Sequence, residues 1–373
     1  MSKLPTLLVH AGAEHPQGAV VGPIHRSANY LQDGAATYAG VRYLRLSNSP
    51  QQRALHVKLA AIEGAESALS FASGMAAIST SLLALLSKGQ HLLIQRNVYG
   101  GTRTFLEDLQ RWGIEHTEVD ATQPETWPSA LRPETAVFYV EAVSNPLMEV
   151  PDLPAVLAFC REHDLRSVID NTFLSPLQFR PIEHGFDLVA HSATKYLAGH
   201  SDLVAGSIAG SAALVQRVLR QQSHLGGSLD PEACYLLDRG LKTLHLRVPW
   251  QAASALRLAR FLSSHPAVER VRYPGLEGDP NHPRTRLFSG CGGMLSFSLR
   301  GSAEGLLSRL RVPLNAASLG GVESLVVRPA RSSHLGMDPA ERDRIGITDR
   351  LVRVSVGVED PDDLLADFEQ ALG

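Results

Sequence analysis

Ser167-Val168-Ile169-Asp170-Asn171-Thr172 is followed by Leu188-Val189-Ala190-His191-Ser192-Ala193-Thr194-Lys195. Each stretch opens as a short apolar run of strand type and ends in polar side chains. Similar runs lie upstream at Ala68–Phe71, Leu92–Gln95 and Ala136–Glu141, and downstream at Leu203–Ile208. Between them the apolar spacing turns helical, over Met75–Leu86, Thr102–Trp112 and Leu153–His163. Alternation of this kind predicts an α/β domain with a mostly parallel sheet covered on both faces. Ligands of such sheets bind beyond the carboxyl ends of the strands. The residues just after each run are therefore where chemistry is sought.

Outward from this centre the pattern changes twice. Residues 1–48 are rich in Gly, Pro and Asn without a sustained period, and read as an arm. Ser49-Pro50 then supplies a cap and a first-turn proline, Leu55, Leu59 and Ile62 recur at helical spacing, and Gly64 stops the helix. The unit 49–248 is expected to carry the site. A helical stretch from Cys234 to Ser264 should kink or break at Pro249. From 249 to 373, strands near Met294–Leu299, Leu325–Arg328 and Leu351–Val356 and a final amphipathic helix predict a smaller α+β domain.

Composition excludes several functions. Of the 373 residues 44% are hydrophobic and 20% charged, with net charge −3, which suits a globular chain and offers no basic face for nucleic acid. The longest apolar stretch, Ala76–Leu86, is too short to span a bilayer, and Met1-Ser2-Lys3-Leu4-Pro5 opens no signal peptide. Cys160, Cys234 and Cys291 are odd in number and widely spaced, so neither a disulfide framework nor a metal site is expected, and the cytoplasm is the expected compartment.

Only five of the 35 basic residues are Lys: Lys3, Lys58, Lys88, Lys195 and Lys242. Lys195 sits among uncharged neighbours after a strand end. A lone Lys is most often a solvated one, Asp170 could merely cap a loop, and Ser73-Gly74 could be an ordinary helix start. Taken together, these residues supply what pyridoxal phosphate requires. Its aldehyde needs a deprotonatable amine, which Arg cannot provide. Its ring nitrogen needs a carboxylate such as Asp170 to stay protonated. Its phosphate needs donors, available from Ser73, the N–H groups of Gly74 and Met75 at a helix start, and the hydroxyls of Ser192 and Thr194. Tyr99, before Gly100-Gly101, can stack on the ring.

At these residues the chain resembles the Cys/Met-metabolism, or trans-sulfuration, family of pyridoxal-phosphate enzymes. The run Asp187-Leu188 through Ser192-Ala193-Thr194-Lys195-Tyr196-Leu197 to Gly199-His200-Ser201 is similar to that family's cofactor-lysine motif. Phe71–Ala77, Val98–Thr102, Asp170–Phe173, Ser318–Gly321 and Arg353–Asp360 resemble further family motifs in the same order. The resemblance implies the aspartate-aminotransferase-like fold (fold type I of these enzymes) and a homotetramer of two intimate dimers. It implies that Lys195 holds the cofactor and moves protons, that Asp170 pairs with the ring nitrogen, and that Tyr99 stacks and assists. It further implies that Arg353, with Ser318 and Asn145, receives the substrate, and that Tyr43 and Arg45 reach the neighbouring subunit's phosphate. Periodicity alone would leave Arg353 on the polar face of a strand.

The implied activity is cleavage or formation of C–S bonds in cystathionine-type amino acids. Val98–Thr102 and Gly240–His245 look most like the cystathionine γ-lyase branch, with γ-synthase second and β-lyase third. Two other classes are compatible with the cofactor: a non-catalytic cofactor-binding regulator, which would need a lost catalytic group, and an aminotransferase. Departures from the family pattern fall in the substrate region. Ala317 stands where the γ-enzymes commonly carry Glu, and Arg331 where a small residue is usual, suggesting a second anion contact, or else an Arg331 that points to solvent or pairs with a nearby acid such as Asp338.

Overall fold

Ser49 opens the first long helix, Pro50–Glu63, through a complete capping box: its hydroxyl accepts from the Gln52 N–H while the Gln52 carbonyl oxygen takes the Ser49 N–H at 2.9 Å. Gly64 ends it in the left-handed region, at φ 68°. The computed structural model describes residues 2–31, 34 and 40–373, so part of the arm, residues 32, 33 and 35–39, lies outside the described residues. The arm is not without regular structure. Leu4–His10 forms a short helix, and Leu8 is fully buried in the core against the Pro50–Glu63 helix. Seven residues carry too little periodicity to announce a helix; packing makes it.

Seven strands form the large sheet: β1 Ser67–Phe71, β2 His91–Gln95, β3 Glu115–Val119, β4 Thr135–Glu141, β5 Arg166–Asp170, β6 Leu188–His191 and β7 Gly206–Gly210. Their order is β1-β7-β6-β5-β4-β2-β3, and β7 alone runs against the direction of the other six. Two strand expectations need correction. The run Leu203–Ile208 enters the sheet only at Gly206, because Ala205 pairs instead with the Thr194 hydroxyl. Glycine is required at Gly206, where a Cβ would lie 2.1 Å from the Ser73 carbonyl oxygen. β3 escaped notice because it is a sheet edge, half polar and only partly buried.

The second sheet comprises β8 Val268–Arg272, β9 Met294–Leu299, β10 Leu314–Asn315, β11 Leu325–Val327 and β12 Leu351–Ser355, in the order β10-β11-β12-β9-β8. The Cys234–Ser264 stretch divides at Lys242-Thr243, not at Pro249, giving helices Pro231–Leu241 and Leu244–Ser264. Pro249 lies in the second turn of the latter helix with its ring in solvent, where it forfeits one backbone hydrogen bond without a clash in the core. Leu244 and Val248 on this helix belong to the core under the large sheet, whereas Ala255, Leu258 and Leu262 pack with the second sheet. A division at residue 249, as the sequence proposes, falls within it.

No helix among the described residues is long and apolar enough to cross a membrane. Gln52 does more than cap. Fully buried, its amide also donates to the Leu44 and Leu229 carbonyls, tying the arm to the large domain. Gln52→Ala strands a buried N–H and a buried carbonyl. It is expected to cost about 2–3 kcal/mol, read as a lowered urea midpoint; an unchanged midpoint would refute this role.

Candidate active site

β4, β5 and β6 run parallel and end side by side, with Glu141 in register with Asp170. Beyond those ends opens a cavity of about 660 Å³. Its wall includes Lys195, Asp170, Tyr99, Ser73, Gly74, Met75, Ser192, Thr194, Arg353, Ser318 and Asn145. Every site residue named from the sequence therefore meets here except Tyr43 and Arg45. Those two stay on the arm, where Tyr43 bridges Asn29 and Arg45 donates to the Ser223 carbonyl.

Asp170 ends β5 and is buried. Its Oδ1 accepts from the Thr172 N–H at 2.9 Å and from the Thr172 hydroxyl, which in turn accepts from the Ser192 N–H at 2.8 Å. This chain locks the ends of β5 and β6 together. Among the described residues Asp170 has no ion pair, and burial pushes its pKa up. A carboxylate in this state calls for a cation from outside the chain.

Lys195 and Lys58 are the informative lysines. Lys58 is 1% exposed, and Asp238 at 2.5 Å answers its charge. Lys195 has no carboxylate partner among the described residues; its Nζ donates only to the Ser318 hydroxyl, at 2.7 Å. Burial, and then the nearby Arg353 charge, lower its pKa to about 8. A neutral, nucleophilic amine is thereby accessible near physiological pH.

Arg353 corrects the surface reading of β12, since both faces of this strand are buried. Its Nη1 donates to Asn145 Oδ1 at 3.0 Å and its Nη2 to the Ser318 carbonyl at 2.8 Å, while its Nε has no partner among the described residues. Burial lowers its pKa to about 10. Ser318, at φ 90°, is in an uncommon backbone state for a residue with a Cβ, and it anchors both Lys195 and Arg353.

The helix Gly74–Leu85 starts at the cavity. Ser73 caps it, accepting from the Ala76 N–H at 3.0 Å, and the Gly74 and Met75 N–H groups have no acceptor among the described residues. A Cβ on Gly74 would come within 2.8 Å of the Ser192 Oγ, so the glycine lets that hydroxyl close on the helix start. Thr194 departs from expectation: its hydroxyl both donates to and accepts from the Ala205 backbone, leaving Ser192 as the uncommitted hydroxyl.

Sequence reasoning missed Glu141, Ser333 and the full place of Thr172. Glu141 accepts from the Tyr99 N–H and so fixes the start of helix Gly100–Arg111. Burial and the Asp170 charge drive its pKa well up. It was findable, since it ends β4 just as Asp170 ends β5. Ser333 sits on a loop without a pattern. Arg331 is not on the cavity wall; it is exposed and pairs with Asp349 rather than Asp338, at 3.4 Å. Ala317 does line the cavity. No group of three metal-ligating side chains occurs among the described residues.

The donor set fits pyridoxal phosphate: among the described residues it offers a buried carboxylate and a half-buried amine without ion pairs, and a helix start with free N–H groups. Comparison with known proteins agrees. Residues 5–373 match the family described as Cys/Met metabolism PLP-dependent enzymes. A cystathionine β-lyase of Bacillus subtilis is 43% identical, covering 99% of this chain and 96% of its own length. A cystathionine γ-lyase of the same organism is 40% identical, covering 99% of each chain. The crystal structure of cystathionine γ-lyase from Lactobacillus plantarum, complexed with L-serine, superposes with TM-score 0.95 at 36% identity, covering 99% of this chain and 98% of its own. The chain thus belongs to the pyridoxal-phosphate-dependent enzymes of Cys/Met metabolism, with the fold that its strand order and cavity indicated.

Proposed function

We propose that this enzyme cleaves the C–S bond of cystathionine-type amino acids, in the first place by γ-elimination. The observation that carries the proposal is the set of three charged or ionisable groups on one cavity wall, buried Asp170 and Arg353 and half-buried Lys195. None of them has an ion pair among the described residues. Such a wall is complementary to a ligand that brings a carbonyl, a ring cation and a carboxylate.

Pyridoxal phosphate, when bound, supplies an aldehyde for amine attachment and a protonated ring that draws electrons from an amino acid's Cα. Asp170 would hold the proton on the ring nitrogen. The N–H groups of Gly74 and Met75, with Ser73 and Ser192, would hold the phosphate. Tyr99, whose ring edge packs beside Gly101, would cover the ring face. Arg353 would bind the substrate α-carboxylate through its fork, with Asn145 and Ser318 orienting it. Lys195 Nζ would take the proton from Cα. γ-Elimination demands a second proton, from Cβ, and an amine tethered only through the Ser318 hydroxyl is free to serve both carbons.

β-Elimination is the second reading. It is favoured by Ala317, which leaves no carboxylate at that point of the wall, and by the B. subtilis β-lyase relative. Tyr43 and Arg45 lie away from this cavity, which supports their serving the phosphate of a neighbouring copy within a homotetramer. Three free cysteines and relatives of central amino-acid metabolism support the cytoplasm as its compartment.

Product analysis with cystathionine tests the reading. 2-Oxobutyrate with cysteine is expected; pyruvate with homocysteine would transfer the assignment to β-elimination, and neither would overturn both. Arg353→Ala should lower kcat/KM by roughly ten- to a hundredfold, the weight of a charge-assisted contact of about 1.5–3 kcal/mol. Unimpaired turnover in that variant would remove Arg353 from substrate binding.

A further inference from the structure

A second polar cavity, of about 320 Å³, lies outside the active site. Four arginines line it: Arg270 and Arg272 from β8, Arg284 from the turn His282–Leu287, and Arg344 from the end of helix Pro339–Arg344. β8 presents Arg270 and Arg272 on one face, since they stand two residues apart on a strand. Two carboxylates share the wall, each positioned by neutral donors, and both attract Arg272. Asp279 accepts from the N–H groups of Tyr273 and Asn281 and from the Asn281 side chain. Glu149 accepts from Asn97 at 2.6 Å.

None of the four arginines makes an ion pair among the described residues. Arg272 reaches only the Ser298 hydroxyl, at 3.2 Å, and Arg284 touches the Thr122 carbonyl and Asn281 at 3.5 Å. Arg270 and Arg344 are exposed and have no acceptor among the described residues. Burial and the neighbouring Arg270 charge lower the pKa of Arg272. An ordinary solvated basic face spreads its charges over a convex surface. Here four guanidinium groups from three separate elements surround one concavity that holds only two carboxylates, and the positive excess favours an entering anion. Planar forks of this kind match phosphate oxygens best.

We propose that this cavity binds a phosphate group carrying two or more negative charges, as free phosphate or as part of a phosphorylated small molecule. The site is separate from the cofactor's phosphate site, because the two cavities share no lining residue.

Calorimetric titration of the cofactor-saturated enzyme tests it, with inorganic phosphate, pyrophosphate and ADP, each against sodium chloride of equal ionic strength. Saturation with cofactor keeps the first phosphate site filled. One pyrophosphate per chain is expected, bound more tightly than phosphate. The exposed double variant Arg270→Ala/Arg344→Ala should weaken it at least about tenfold for each arginine removed and leave turnover unchanged. ADP binding above pyrophosphate would assign a nucleotide; equal binding would assign the phosphate groups alone. No heat beyond the salt control, or undiminished affinity in the double variant, would overturn the proposal.

Discussion

Buried charge without a partner in the chain is the constraint on which this structure depends. Removing an ionised side chain from water carries a penalty of several kcal/mol that a neighbouring charge must offset. Lys58 obeys that rule through Asp238, at 2.5 Å. Among the described residues Lys195, Asp170 and Arg353 do not, and all three face one cavity. The fold holds them there with neutral hydrogen bonds: Thr172 for Asp170, Ser318 for Lys195, Asn145 and the Ser318 carbonyl for Arg353. These contacts fix position without neutralising charge, so the compensation is left to the ligand.

The scaffold explains how such groups are kept apart yet close. Parallel pairing of β4, β5 and β6 brings three strand ends to one edge. Antiparallel β7 then passes beneath the helix that starts at Gly74, an approach that only a glycine at 206 permits. The second sheet contributes from the far side. β12 sends Arg353 inward, and the segment before β11 brings Ser318, held in an uncommon backbone state. The cavity is therefore a seam between two sheets, and neither builds it alone.

Local chemistry was legible in the sequence wherever it coincided with a strand end or a helix start. Asp170, Lys195 and Ser73-Gly74 announced themselves in this way; the scarcity of lysine left five to consider, Lys58 and Lys195 among them. What separates those two lysines is Asp238, a contact between distant helices that no spacing encodes. The burial of Arg353, which the family resemblance already pointed to, escaped periodicity for the same reason: alternation along β12 assigns it to a polar face, and only the seam shows that face to be buried. Pro249 misled because its cost depends on how far into the helix it lies and on what its ring meets. The short Leu4–His10 helix and the edge strand β3 take their form from packing, which weak local patterns do not report.

The central claim is that the unpaired amine at the strand end, rather than any other lysine, carries the cofactor. Borohydride reduction of the cofactor-loaded enzyme, followed by peptide mapping with mass spectrometry, tests it most directly. The account predicts the pyridoxyl mass on the peptide containing Lys195. The same mass on the peptide of Lys58 or Lys242, with Lys195 unmodified, would contradict it.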